Sequence, residues 1–310
     1  MDASTSEYDL AIAWTWKYDR EFVQLLEQTA SEASLRILMI DANNVESVLD
    51  AVQNRSLQFR FFLDRASDEN EAFQPLARFV QSRYHDRGNA RGIRPINPLD
   101  FVSRASDKAT MHLELLSHGV HVPYTIIISP FNHRKEVELK LSELANLGRP
   151  FIIKPANTTG GGVGVVMGAE TLKDVIEARQ HHRNDKYLLQ ETIWPAVIGS
   201  RRAWFRVFYA FGEILACWWD DQTHIYSPLD ARPELIHILE GLRSTTAVIQ
   251  EVCKLDFFST ELVLTSEQKV VAVDYVNEMC DMRMKSVHHD GVPDAVVGEI
   301  VRLLVGFVKR

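Results

Sequence analysis

Short apolar runs alternating with helix-like segments through the first hundred residues restrict this chain more than any other feature. Leu10–Trp14, Leu35–Ile40 and Phe59–Leu63 are each long enough for one buried strand. Among and after them lie Arg20–Ala30, Val45–Gln53 and Glu71–Tyr84, which read as helices; in the last, Phe73, Leu76, Phe79 and Val80 share one face. Such alternation predicts an open parallel sheet flanked by helices. No Gly-x-Gly-x-x-Gly run follows the first strand, so the unit is expected to be Rossmann-like in architecture without the dinucleotide fingerprint. The stretch Asp86–Pro98, rich in Gly, Asn, Arg and Pro, reads as a linker, which places this α/β unit at 1–104.

Beyond the linker the pattern becomes α+β. Asp107–His118 reads as a helix, with Ser106 or Asp107 as N-cap and Gly119 as its stop. Strands follow at Val122–Ile128, Phe151–Lys154, Val163–Met167 and Tyr187–Thr192, with helices at Leu139–Leu147 and Thr171–Arg179. Ala203–Phe211 and Glu213–Trp219 form one hairpin, Phe257–Leu264 and Lys269–Tyr275 another, and Glu234–Val252 and Ala295–Val308 are helices. The expected division is a central lobe at 105–192 and a C-terminal lobe at 193–310, in keeping with 310 residues, about twice a usual domain.

Charge and composition exclude several classes. A formal charge of -8 speaks against a nucleic-acid binder. Met1–Tyr8 is polar and acidic, unlike a signal or transit peptide, and no apolar run approaches the roughly 20 residues of a membrane span. Cys217, Cys253 and Cys280 are odd in number and lack C-x-x-C spacing, which suits a reducing compartment. A soluble cytoplasmic protein is expected, with a homodimer as the default assembly.

Chemistry concentrates at two places. Between two β-type runs lies Lys154-Pro-Ala-Asn-Thr158-Thr159-Gly160-Gly161-Gly162-Val-Gly164, with four glycines in five positions. Such a loop lets the backbone approach a ligand and offers N–H groups to phosphate oxygens, and the upstream lysine adds a point charge. No Gly-Lys-Ser/Thr ends it, so it is not a Walker A loop. The second place is the hairpin carrying Glu261 and Asp274. Carboxylates within apolar strands are costly unless paired or metal-bound. Side by side, and with the amide oxygen of Asn277, they suit magnesium. The His181-His182 and His288-His289 pairs point apart in regular structure and do not by themselves make a zinc site.

In order and spacing these features resemble the ATP-grasp superfamily, in particular the carboxylate–amine ligases of the glutathione synthetase and D-alanine–D-alanine ligase group. The resemblance runs from about Ser106 onward and implies a two-lobed ATP-grasp fold behind the N-terminal unit. It implies that Lys108 and Lys154 contact the nucleotide phosphates and that Thr158–Gly164 closes over them. Gln190, Glu191, Thr192 and Ile193 resemble the hinge strand that reads adenine. Glu261, Asp274 and Asn277 resemble the metal set for Mg2+, two ions by analogy, with Mn2+ as a substitute. The usual motif has one residue between acid and asparagine, whereas Asp274 and Asn277 have two. Either a bulge at Tyr275–Val276 restores the alignment, or Glu278 replaces Asn277. Arg206 resembles the strand arginine that faces the phosphates, and Arg283 lies where family members recognise substrate, although the loop lacks the usual Pro-Gly. The resemblance implies ATP-dependent joining of a carboxylate, through its acyl phosphate, to an amine of a small molecule or peptide. A hydroxyl-phosphorylating kinase and a nucleotide-binding module without turnover are the alternatives.

Overall fold

The computed structural model describes residues 5–85, 92–157, 162–229, 232 and 235–310. The N-terminal unit comprises β1 (Ser6–Trp14), α1 (Arg20–Glu32), β2 (Ile37–Ile40), α2 (Val45–Gln53), β3 (Leu57–Arg65), α3 (Gln74–His85) and β4 (Arg94–Ile96). Its strands lie in the order β2-β1-β3-β4, all parallel, so the sheet read from the alternation is present. The linker expectation needs correcting at β4, which pairs with β3 inside Asp86–Pro98. Three residues including Pro95 give no strand signal, and an edge position tolerates the missing N–H of proline.

On one sheet face Ala11, Ala13 and Phe62 pack against Val45 and Val48 of α2 and Leu76 and Val80 of α3. On the other, Leu10, Ile12, Phe61 and Leu63 meet Phe22 and Leu26 of α1. That face is completed from far along the chain, by Val297, Ile300, Val301 and Leu304. The same core continues into Phe208, Ala210 and Phe257, so the N-terminal unit and the C-terminal sheet share one apolar interior.

Two helices absent from a simple strand count follow: α4 (Leu99–Ser106) and α5 (Lys108–Ser117). Ala105, Met111 and Leu115 lie in one cluster with Phe205, Leu242, Ile249 and Phe258, so these helices pack into the C-terminal lobe. The central lobe contains β5 (Thr125–Ile128), α6 (Leu141–Leu147), β6 (Phe151–Pro155), β7 (Val166–Ala169), α7 (Leu172–Ala178) and β8 (Tyr187–Glu191). Its antiparallel sheet has the order β5-β8-β6-β7 over a core of Leu147, Phe151, Ile153, Val175 and Leu189.

A small ribbon, β9 (Val197–Ile198) and β10 (Arg201–Arg202), leads to β11 (Trp204–Ala210), β12 (Glu213–Trp219) and β13 (Tyr226–Pro228). Then come α8 (Ile236–Cys253), β14 (Phe257–Leu264), β15 (Val270–Asn277) and α9 (Asp294–Lys309). The antiparallel sheet β13-β12-β11-β14-β15 is built from two hairpins joined through β11 and β14. The first turns at Phe211 and Gly212, both at positive φ (53° and 104°). Among the described residues no helix is long and apolar enough to cross a membrane.

Candidate active site

The site grows from one row of residues across the large sheet. Cross-strand register pairs Arg206 of β11 with Glu261 of β14, and Glu261 with Asp274 of β15. Direct neighbours in an antiparallel sheet point to the same face, so a guanidinium and two carboxylates stand in line. Between the Ser259–Asn277 and Glu261–Asp274 pairs, Thr260 alone opposes Tyr275 and Val276. This bulge puts Asn277 on the face of Asp274, where three-residue spacing in a regular strand would put it opposite. A second shift between Glu261 and Leu262 brackets Asp274 on its other side.

Each charge in the row is engaged. Arg206 Nη2 donates to Glu261 Oε1 at 2.5 Å, and Trp204 Nε1 donates to Oε2 at 3.0 Å. The Arg206 guanidinium lies over the Trp219 ring at 5.0 Å, while its Nε and Nη1 are buried without a partner among the described residues. Burial opposes the charge on Arg206, but Glu261 beside it keeps the group above its usual pKa. Lys108 Nζ donates to Asp274 Oδ1 at 2.7 Å, and Lys154 Nζ donates to the Val273 carbonyl at 3.0 Å. Burial tends to raise the Asp274 carboxyl; Lys108 and Lys154 outweigh it and hold the group well below the carboxylate range. Lys154 moves down, chiefly through burial.

The lysines are placed by local structure. Asp107 caps α5 by accepting from the Ala109 and Thr110 amides, and it also accepts from Lys186 Nζ at 2.7 Å. The Lys108 amide donates to the Ala156 carbonyl, tying the head of α5 to the strand that carries Lys154. Asn157, entering the glycine loop, is gripped through its amide and side chain by Asp185. Thr158, Thr159, Gly160 and Gly161 lie outside the described residues. Gly162 and Gly164 have φ of 78° and 77°, and a Cβ at Gly164 would approach His182 Nε2 at 3.1 Å and Pro155 Cγ at 3.2 Å. His182 therefore packs on the loop, a contact that an adjacent histidine pair gave no reason to expect.

The other residues singled out from the sequence are placed less simply. Gln190 is buried, its amide donating to Thr125 Oγ1 and Tyr275 Oη, so its side chain is committed to the interior. Glu191 Oε1 accepts from the Tyr124 amide at 2.7 Å, and Thr192 Oγ1 donates to the Pro150 carbonyl. Ile193 packs against Val263, Val271 and Val273. Arg283 holds Asp281 in a two-pronged pair and Asp290 at 2.9 Å, so its guanidinium clamps its own loop. Glu278 accepts from Ser106 Oγ at 3.0 Å, and burial raises its pKa. The sequence reading missed Trp204 and Trp219 as partners of the row. It also missed Arg65, buried in a pair with Asp19 at 2.6 Å and donating to the Cys280 carbonyl.

Glu261, Asp274 and Asn277 together offer the hard oxygens magnesium favours. Among the described residues no group of three His, Cys, Asp or Glu side chains is arranged for a metal, so a third ligand from protein would be the Asn277 amide. The donor chemistry fits, provided Lys108 and Arg206 yield carboxylate oxygens when phosphates arrive to take those cations.

Comparison with solved structures decides the architecture. D-alanine–D-alanine ligase from Bacillus anthracis, complexed with ATP, superposes with a TM-score of 0.64 at 13% identity, covering 99% of this chain and 98% of that one. A RimK domain ATP-grasp protein from Sphaerobacter thermophilus gives 0.63 at 17% identity, covering 96% and 98%. The chain has the ATP-grasp fold. The ATP-grasp ligase PsnB, complexed with a minimal precursor, Mg and ADP, gives 0.61 at 12% identity over 97% and 99%. No family model matches the chain, and no curated protein does.

Proposed function

We propose that this ATP-grasp chain is an ATP-dependent ligase that activates a carboxylate as an acyl phosphate and joins it to an amine, with release of ADP and phosphate. The observation that carries this reading is the Arg206–Glu261–Asp274 row with Lys108 and Lys154 at its Asp274 end. Lys108 and Lys154 hold oxygens of the triphosphate, and the backbone around Gly162 and Gly164 lies against it. Glu261, Asp274 and Asn277 would hold magnesium, which when bound would supply Lewis-acid neutralisation of phosphate oxygens.

The Arg206 guanidinium, released as Glu261 turns to the metal, neutralises charge that develops on the transferring phosphoryl group. The carboxylate oxygen of the first substrate bonds to the γ-phosphorus as the bond to ADP breaks. The amine then attacks the acyl carbon, phosphate leaves with the bonding pair, and the amine loses a proton. The protein's part is positioning and electrostatics, so no covalent nucleophile is required. Two solved structures with this fold, the ATP-grasp ligase PsnB and the macrocyclase MdnC from Microcystis aeruginosa, are bound to precursor peptides, which adds peptide carboxylates to the candidate substrates.

The test is incubation with MgATP and a panel of amino acids and peptides, reading ADP release and product mass. Amine-dependent ADP release with a product lighter by one water supports the ligase. A mass gain of one phosphate on a hydroxyl substrate, or nucleotide binding without ADP in any mixture, overturns it.

A further inference from the structure

A buried hydrogen-bond cluster joins α5, β8 and β15, three of the elements around the candidate nucleotide site. Tyr275, next to Asp274 on β15, places its hydroxyl 2.7 Å from His112 Nδ1 and 2.9 Å from Gln190 Nε2. His112 lies one turn after Lys108 on α5, and Gln190 precedes Glu191 on β8. Gln190 Nε2 also donates to Thr125 Oγ1 at 3.1 Å, and Thr125 Oγ1 donates to the Pro123 carbonyl at 2.8 Å. His112, Gln190 and Tyr275 are 4%, 1% and 2% exposed, so the two bonds at the Tyr275 hydroxyl are out of bulk water.

One assignment of the protons satisfies both contacts of the Gln190 amide, with His112 Nδ1 as an acceptor. Both N–H groups of the Gln190 amide are spent on Thr125 and Tyr275, so the Tyr275 oxygen accepts from Gln190. In that assignment its own O–H donates to His112 Nδ1, and the histidine is neutral with its proton on Nε2. Burial lowers the His112 pKa, which favours that neutral form. A chain of this kind has little slack, because each member has one donor direction and one acceptor to satisfy.

We propose that Tyr275 is a positioning residue whose hydroxyl, held between His112 and Gln190, sets the distance between the adenine end and the phosphate end of the nucleotide cleft. The inference rests on the nucleotide-site reading above. From that strut run α5 to Lys108, β15 to Asp274 and β8 to the 191–193 segment. A ligand that touches both ends gains from having them prealigned, whereas a ligand that touches one end gains nothing.

The test uses the full chain and three probes: MgATP, adenosine and magnesium tripolyphosphate. Tyr275→Phe is expected to raise the Kd for MgATP about tenfold while leaving the two half-ligands within about twofold of the parent. Gln190→Met, which keeps the volume and removes the donor, is expected to act in the same direction and serves if Tyr275→Phe does not fold. Thr246→Val provides the control. It deletes a buried hydroxyl that donates to Leu242 within α8, and should lower thermal stability with no change in any of the three affinities. Unchanged MgATP affinity in both variants, or a parallel loss for all three probes, overturns the proposal. If the parent chain itself fails to bind MgATP, the nucleotide-site reading falls first and this inference with it.

Discussion

At the scale of single residues, Asp274 is where most of the site's electrostatics meet. It accepts from Lys108, lies close to Lys154 and sits in line with Glu261 and Arg206. Asp274→Asn keeps the shape and removes the charge, and we expect ADP-forming turnover to fall at least about 100-fold in a coupled assay. The same carboxyl gives a pH prediction. Its pKa is lower in the folded chain than in the unfolded one, so the unfolded state binds the proton more readily. Its stabilising contribution is complete above about pH 4 and is lost as pH falls through the depressed folded value. In chelator and without nucleotide, the stability gap between parent and Asp274→Asn should therefore narrow as urea unfolding is repeated from pH 5 downward. A gap constant with pH would refute the assignment. The bulge beside Asp274 was one of two alternatives the sequence left open, the other being Glu278 in place of Asn277. The commitment of Gln190 to Tyr275, 85 residues away, was not legible in the sequence, since nothing local distinguishes a buried amide from a ligand-facing one. The pairing of Arg283 within its own loop was not legible for a similar reason. A carboxylate-binding arginine looks the same in sequence whether its carboxylates come from substrate or from Asp281 and Asp290.

At the scale of elements, the decisive piece is the head of α5. Asp107 satisfies two amides there, pairs with Lys186 and precedes Lys108. Burial pushes its carboxyl up, and the Lys186 and Thr110 hydrogen bonds bring it below its ordinary value. Asp107→Ala should cost about 1–2 kcal/mol by chemical denaturation. It should also weaken MgADP binding measured by calorimetry, because the Lys108 backbone amide loses the frame that aims it at Ala156. A stability loss with unchanged affinity would show that the cap serves the helix alone. The sequence marked this helix and offered Ser106 or Asp107 as its cap, of which the structure uses Asp107. Periodicity shows that Met111 and Leu115 need a partner; it cannot show that the partner is Leu242 and Ile249 on α8.

At the scale of the whole molecule, the N-terminal unit is fastened to the site by charge as well as by apolar packing. Arg65 leaves the end of β3, pairs with Asp19 out of water and donates to the carbonyl of Cys280, three residues past Asn277. Removing one partner strands a buried charge, so Asp19→Asn should destabilise the chain by about 3–5 kcal/mol. Thermal unfolding would check this, and Arg65→Met with Asp19→Leu together should recover part of the loss. The shared core has a kinetic side too. One face of the first sheet, covered in part by α1, stays incomplete until α9 is made, because Val297, Ile300, Val301 and Leu304 form part of its lining. During synthesis at about 5–20 residues per second, the opening sheet must wait tens of seconds for the helix that shields it. Throughout that interval Leu10, Ile12, Phe61 and Leu63 are available to chaperones, and a ribosome stalled before Asp294 would release a chain that cannot complete its first domain.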